Sequence, residues 1–136
     1  MYFGVSDMKP KKALIFDDEE MILDLLTEIL TEKQFEVTAF PDPISFLSQQ
    51  EKCSCHIESA PCFDVIITDN LMPGMTGLEF LERLKGFGCK LADNRKAIIS
   101  GHLTEDDLIR AKKINVKVFH KPGNIYDLIQ WLPDSK

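Results

Sequence analysis

The sequence predicts an α/β fold, a doubly wound (βα)5 sandwich whose five-stranded parallel sheet carries helices on both faces. Three observations point to it. Short β-rich runs alternate with stretches of helical periodicity along the chain. The run FDVIIT, residues 63–68, is almost wholly apolar and rich in β-branched residues, as a strand is when both of its faces are covered. The length, 136 residues, suits one domain with one core.

Each element has its own justification. KKALIF, residues 11–16, reads as a buried strand. DEEMILDLLTEILTEK, residues 18–33, sets Met21, Ile22, Leu25, Leu26, Ile29 and Leu30 at helical spacing on one face. FEVTAF, residues 35–40, is a second strand, and PDPISFLSQQ starts a helix with Asp42 as its cap and Pro43 at its first position. After the third strand, TGLEFLERLKGF puts Leu78, Leu81 and Leu84 on one helical side. RKAIIS is a fourth strand. The helix TEDDLIRAKKI follows, with Thr104 as N-cap and Glu105, Asp106 and Asp107 at its positive end. VKVFH is a fifth strand and NIYDLIQWL a last helix, capped by Asn124. The domain spans 11–132, between an N-terminal tail, 1–10, and a C-terminal tail, 133–136.

Composition excludes several classes. Sixteen basic against 22 acidic residues give a net charge of −6, which disfavours non-specific nucleic-acid binding. No apolar run approaches the roughly 18 residues of a membrane span. The N-terminus does not read as a signal peptide, so a cytoplasmic location is expected. Reduced thiols are then expected for Cys53, Cys55, Cys62 and Cys89. Cys53, Cys55, His56 and Cys62 share a long polar connection, but Cys-x-Cys-His is not the usual zinc spacing, and free thiols in a loop are the expectation.

In a doubly wound sheet the site lies at the carboxyl ends of the strands. The first strand ends in Asp17, Asp18 and Glu19, the third in Asp69, the fourth in Ser100 and Gly101, and the fifth in His120, Lys121 and Pro122. Three clustered carboxylates repel one another and call for a cation, and hard oxygen ligands suit Mg²⁺. A carboxylate on such a metal can attack phosphorus and give an aspartyl phosphate. Lys121 would neutralise the phosphoryl oxygens and Ser100 would hydrogen-bond one of them. Each residue also has an ordinary reading: Asp17 and Asp18 as helix caps, Asp69 as a turn residue, Lys121 as a surface cation, Ser100 as a strand-end hydroxyl.

The segments LIFDDEE, DNLMPGMTG, IISGH and FHKP, in this order and spacing, resemble the receiver domain of two-component response regulators, a CheY-like family. The pattern Asp-x-x-Met-Pro-x-x-x-Gly matches from Asp69 to Gly77. The resemblance implies that Asp69 is the phosphorylated residue and that Asp18 ligates Mg²⁺ directly. It implies that Asp17 acts on the metal mainly through water and that the main-chain carbonyl of Leu71 is a further ligand. Ser100 and Lys121 match the phosphate-sensing hydroxyl and phosphate-binding lysine, and Pro122 the family's cis proline. It implies a histidine kinase or phosphotransfer protein as donor and a protein target downstream. The face built by the fourth helix, fifth strand and last helix is where receivers often meet partners, and Ile125, Tyr126 and Trp131 lie on that helix.

The chain departs from the pattern in places. Val118 stands where the family often has an aromatic switch residue, with Phe119 beside it on the opposite strand face. Signalling by the loop after Ser100 is the alternative this suggests. Gly123 follows Lys121-Pro122 where Phe is frequent. His102 falls near the site, either bearing on water access or as an exposed loop histidine. The rival functions are a receiver-fold binding module that is never phosphorylated and a Mg²⁺-dependent phosphatase. The adjacent pair Asp17-Asp18 does not fit the Asp-x-Asp element of such phosphatases.

Overall fold

The computed structural model describes residues 11–49, 63–86, 91, 95–121 and 125–133. The elements run β1 (Lys11–Phe16), α1 (Glu20–Glu32), β2 (Phe35–Phe40), α2 (Pro43–Gln49), β3 (Val65–Thr68), α3 (Gly77–Gly86), β4 (Lys96–Ser100), α4 (Glu105–Lys113), β5 (Lys117–His120) and α5 (Ile125–Trp131). The strands form one parallel sheet in the order β2-β1-β3-β4-β5. The chain leaves β1 toward β2 and returns to β3 on the other side of β1. The direction of winding therefore reverses between β1 and β3, where such sheets open a crevice.

Alternation along the strands divides the core into two layers. Ala13, Ile15, Val65, Ile67, Ala97, Ile99 and Phe119 face α1 and α5, where Leu26, Leu30 and Leu128 meet them. Leu14, Phe16, Ile66 and Ile98 face the other way, toward Phe46 of α2, Leu78, Phe80, Leu81 and Leu84 of α3, and Ala111 of α4. Phe16 anchors that second layer, with the Phe80 ring 4.9 Å away at 68° and Phe46 5.7 Å away at 78°. Edge-to-face pairs of this kind contribute about 0.5–1.5 kcal/mol each beyond the area they bury.

The expected caps of α2 and α4 are present. The Ser45 amide donates to Asp42 Oδ1 at 2.7 Å. Thr104 and Asp107 form a reciprocal capping box. The strands β1 and β2 have the expected bounds, whereas β3 starts at Val65 rather than Phe63 and β4 at Lys96. The face of α1 needs correction. Met21 is 84% and Leu25 42% exposed, while Ile22 and Leu23 pack beside Leu26 and Leu30. The hydrophobic stripe fits several helix rotations, and the sheet selects the one that seats Ile22, Leu23, Leu26 and Leu30. Asn124, Pro122, Gly123, Cys53, Cys55, His56, Cys62 and Cys89 lie outside the described residues. Among those described, no helix is long and apolar enough to cross a membrane.

Candidate functional site

Backbone hydrogen bonding carries the sheet one residue past its strands at the crevice. The Asp69 amide donates to the Phe16 carbonyl at 2.8 Å and the Asp17 amide to the Phe40 carbonyl at 3.3 Å. The Lys121 amide donates to the Ser100 carbonyl at 3.0 Å. Asp17, Asp69, Ser100 and Lys121 are thus held by the ladder itself at one edge. Asp17 is 0%, Asp69 5% and Ser100 1% exposed, whereas Asp18 stands at the surface.

The turn after Asp69 is tied back to it. Asn70 is buried; its carbonyl accepts from the Gly77 amide and its Oδ1 accepts from the Leu78 amide, each at 3.0 Å. A capping box between Thr76 and Glu79 closes the start of α3. Gly74 has φ +84°, a left-handed conformation that favours glycine. Gly77 is glycine for a different reason: a Cβ there would sit on the Asp69 carbonyl oxygen and 2.8 Å from the Thr68 side chain.

Asp17, Asp18 and Asp69 each bring one oxygen to within 4.8 Å of the others. Asp17 Oδ1 accepts from the Glu19 amide at 2.8 Å. Asp17 Oδ2 has the Lys121 ammonium 2.8 Å away, a short buried ion pair. Asp69 Oδ1 accepts from the Asn70 amide at 2.8 Å, and its Oδ2 lies 3.5 Å from Lys121 Nζ. Lys121 also donates to Glu19 Oε1 at 2.9 Å. Asp17 and Asp18 do not cap α1: Glu19 takes the cap position, with no side-chain cap bond.

Electrostatics follow from this crowding. Burial raises the Asp69 pKa to about 6; the Asp17 charge adds to the shift, and Lys121 and the Asn70 amide oppose it. Burial also raises Asp17, against the lowering effect of Lys121 and the Glu19 amide. For Lys121 burial alone would lower the pKa, but the Asp17 and Glu19 contacts and the Asp69 charge hold it above the ordinary lysine range.

An open cleft of about 540 Å³ leads to these groups. Glu19, Asp69, Ser100 and Lys121 line it, with Leu71 and His102 at its walls. The Ser100 hydroxyl is engaged in the turn that follows: it accepts from the His102 amide at 3.3 Å and donates to the His102 carbonyl at 3.4 Å. The His102 side chain is exposed. Val118 and Phe119 do face opposite layers. Val118 packs against the layer that holds Ala111 and Val116, and Phe119 meets Trp131 edge-on at 5.8 Å. Tyr126 is exposed on α5, while Ile125 and Trp131 pack on the core.

Glu19 and Asn70 are the residues that sequence reasoning left without a role. Glu19 stood among the strand-end acids, and its reach to Lys121 was not legible from spacing. Asn70 carried no signal of its own.

Residues 13–132 match the response regulator receiver domain family. The chain belongs to this family. The receiver domain is 30% identical over 113 residues to the transcriptional regulatory protein FlgR of Helicobacter pylori, covering 82% of this chain and 26% of that protein. It is 29% identical over 83 residues to the putative two-component response regulator ARR21 of Arabidopsis thaliana, covering 61% of this chain and 13% of that protein. The chain thus spans about a quarter of one of these curated relatives and about an eighth of the other. A crystal structure of a response regulator receiver domain protein from Clostridium thermocellum superposes with a TM-score of 0.68 at 26% identity, covering 89% of this chain and 90% of that one. The five-stranded parallel sheet with its helices is therefore a CheY-like receiver fold. The receiver's acidic pocket offers residues that could bind a divalent metal.

Proposed function

We propose that this receiver domain accepts a phosphoryl group on Asp69, in the presence of Mg²⁺, from the phosphohistidine of a histidine kinase or phosphotransfer protein. The observation that carries the reading is the placement of Asp69: buried beside Asp17 on the neighbouring strand, 3.5 Å from the Lys121 ammonium, and facing an open cleft.

The residues fit a hard cation. Three carboxylates, two of them buried, each offer an oxygen within 4.8 Å of the others. Asp17, Asp18, Asp69 and the main-chain carbonyl of Leu71 would hold it. When bound, Mg²⁺ would neutralise carboxylate charge and polarise the phosphoryl oxygens. A carboxylate oxygen of Asp69 attacks phosphorus, an O–P bond forms, and the P–N bond to the donor imidazole breaks. The imidazole nitrogen keeps the electron pair and takes a proton from solvent. Lys121 then pairs with the phosphoryl oxygens. Ser100 reaches them only by giving up its bonds to the His102 backbone, so phosphorylation pulls on the loop into α4. That route does not require an aromatic residue at position 118.

Incubation with acetyl phosphate and Mg²⁺, followed by intact mass measurement, tests the reading. A labile phosphoryl adduct is expected on the wild type and none on Asp69→Asn. No adduct on the wild type, or an unchanged adduct on the variant, would leave the phosphorylation-independent binding module as the better account.

A further inference from the structure

Lys121 has three carboxylates within reach and does not treat them alike. Its Nζ lies 2.8 Å from Asp17 Oδ2, 2.9 Å from Glu19 Oε1 and 3.5 Å from Asp69 Oδ2. The Glu19 contact has hydrogen-bond geometry. Asp17 and Glu19 thus hold the ammonium together at close range, and Asp69 lies farther from it. The Glu19 carboxylate has no competing structural task among the described residues. Glu19 occupies the cap position of α1, yet its side chain makes no cap bond to that helix. Nor does it belong to the group of carboxylates that converge for a cation, which comprises Asp17, Asp18 and Asp69.

We propose that Glu19 is a positioning residue that holds the Lys121 ammonium off Asp69 and so limits how fast Asp69 is charged with a phosphoryl group. The proposal rests on the phosphoacceptor reading above. To pair with an arriving phosphoryl group Lys121 must leave Glu19. The Glu19 side chain is 62% exposed, so this release is a modest barrier that solvent screens. Glu19 thus tunes the rate and does not decide whether the reaction occurs. Asp17 also lies 2.8 Å from Lys121, but it is one of the three carboxylates that converge for a cation, which would share its charge.

Two substitutions separate this role from plain repulsion of an anionic donor. Glu19→Gln removes the charge, whereas Glu19→Asp keeps it on an arm one methylene shorter, out of reach of Lys121. Initial rates of adduct formation with acetyl phosphate, Mg²⁺ affinity by calorimetry and urea unfolding would be measured on all three proteins. Both variants should be charged faster than the wild type, by about two- to fivefold, as loss of one exposed ion pair implies. Mg²⁺ affinity and unfolding midpoint should hold. If Glu19→Asp behaves as the wild type while Glu19→Gln is faster, Glu19 acts by charge alone and the proposal fails. A drop in Mg²⁺ affinity of about tenfold or more would place Glu19 in the metal's outer shell instead, and also defeat it. Rates equal to or below the wild type's in both variants overturn the positioning role alone. Absence of any adduct on the wild type overturns the phosphoacceptor reading, and this proposal with it.

Discussion

Replacing Asp69 with Asn should stabilise the metal-free protein at neutral pH. The Asp69 carboxyl has a pKa of about 6 in the fold against an ordinary 3.8, because it is buried and faces the charge of Asp17. Between these values the folded state binds more protons than the unfolded state, so wild-type stability falls as pH rises through that window and stays low above it. The interval corresponds to an upper bound of about 3 kcal/mol. The Asn side chain keeps the carbonyl oxygen that accepts from the Asn70 amide but loses the attraction of Lys121, which the net shift already includes. Urea unfolding in chelator at pH 7.5 should therefore show Asp69→Asn more stable by about 1–3 kcal/mol, a midpoint shift on the order of 1 M. The gap should close as pH is lowered through 6 toward 4, where the wild type becomes protonated. Mg²⁺ should narrow the gap: at about a hundred times its dissociation constant it stabilises the wild type by about 2.7 kcal/mol, and the variant by less. A metal-free variant no more stable than the wild type at pH 7.5, or a gap independent of pH, would refute this account of the carboxylate cluster.

Two further outcomes follow from the turn after Asp69. Gly77→Ala should destabilise the fold by about 2 kcal/mol or more, because its Cβ meets the Asp69 carbonyl oxygen and the Thr68 side chain; chemical denaturation reads the loss, and phosphorylation at Asp69 should fall with it. Asn70→Ala should cost about 1–2 kcal/mol by leaving the Leu78 amide at the start of α3 without its acceptor, a loss that faster hydrogen exchange in the first turn of α3 would localise.

The parts of this molecule that were legible from sequence are those governed by short-range periodicity. The apolar runs of β1 and β3 identified buried strands, and the strand alternation of Val118 and Phe119 placed them on opposite faces. Once the strands were parallel and doubly wound, their ends had to share an edge, which brought Asp17, Asp69, Ser100 and Lys121 together. What periodicity could not decide was rotation and reach. A helical stripe does not say whether Leu23 or Leu25 meets the sheet, since either lies on its flank; the packing surface chooses. The bond from Lys121 to Glu19 joins residues 102 apart and exists only because β1 and β5 end at the same edge. Asn70 caps a helix from eight residues away through a folded turn, beyond the local capping patterns that sequence reveals.

The pairing of β1 with β3 fixes more than connectivity. Phe16 lies opposite Thr68, and the Asp69 amide bonds to the Phe16 carbonyl, so Asp17 and Asp69 leave the sheet as rungs of adjacent rails. Parallel strands lie about 4.8 Å apart whatever their side chains are. The gauge of the acidic pocket is therefore an inherited dimension of the polypeptide backbone. Loops around the crevice can change in length and chemistry without altering it, whereas a slip of one residue between β1 and β3 would dismantle the pocket even with every carboxylate still in the chain.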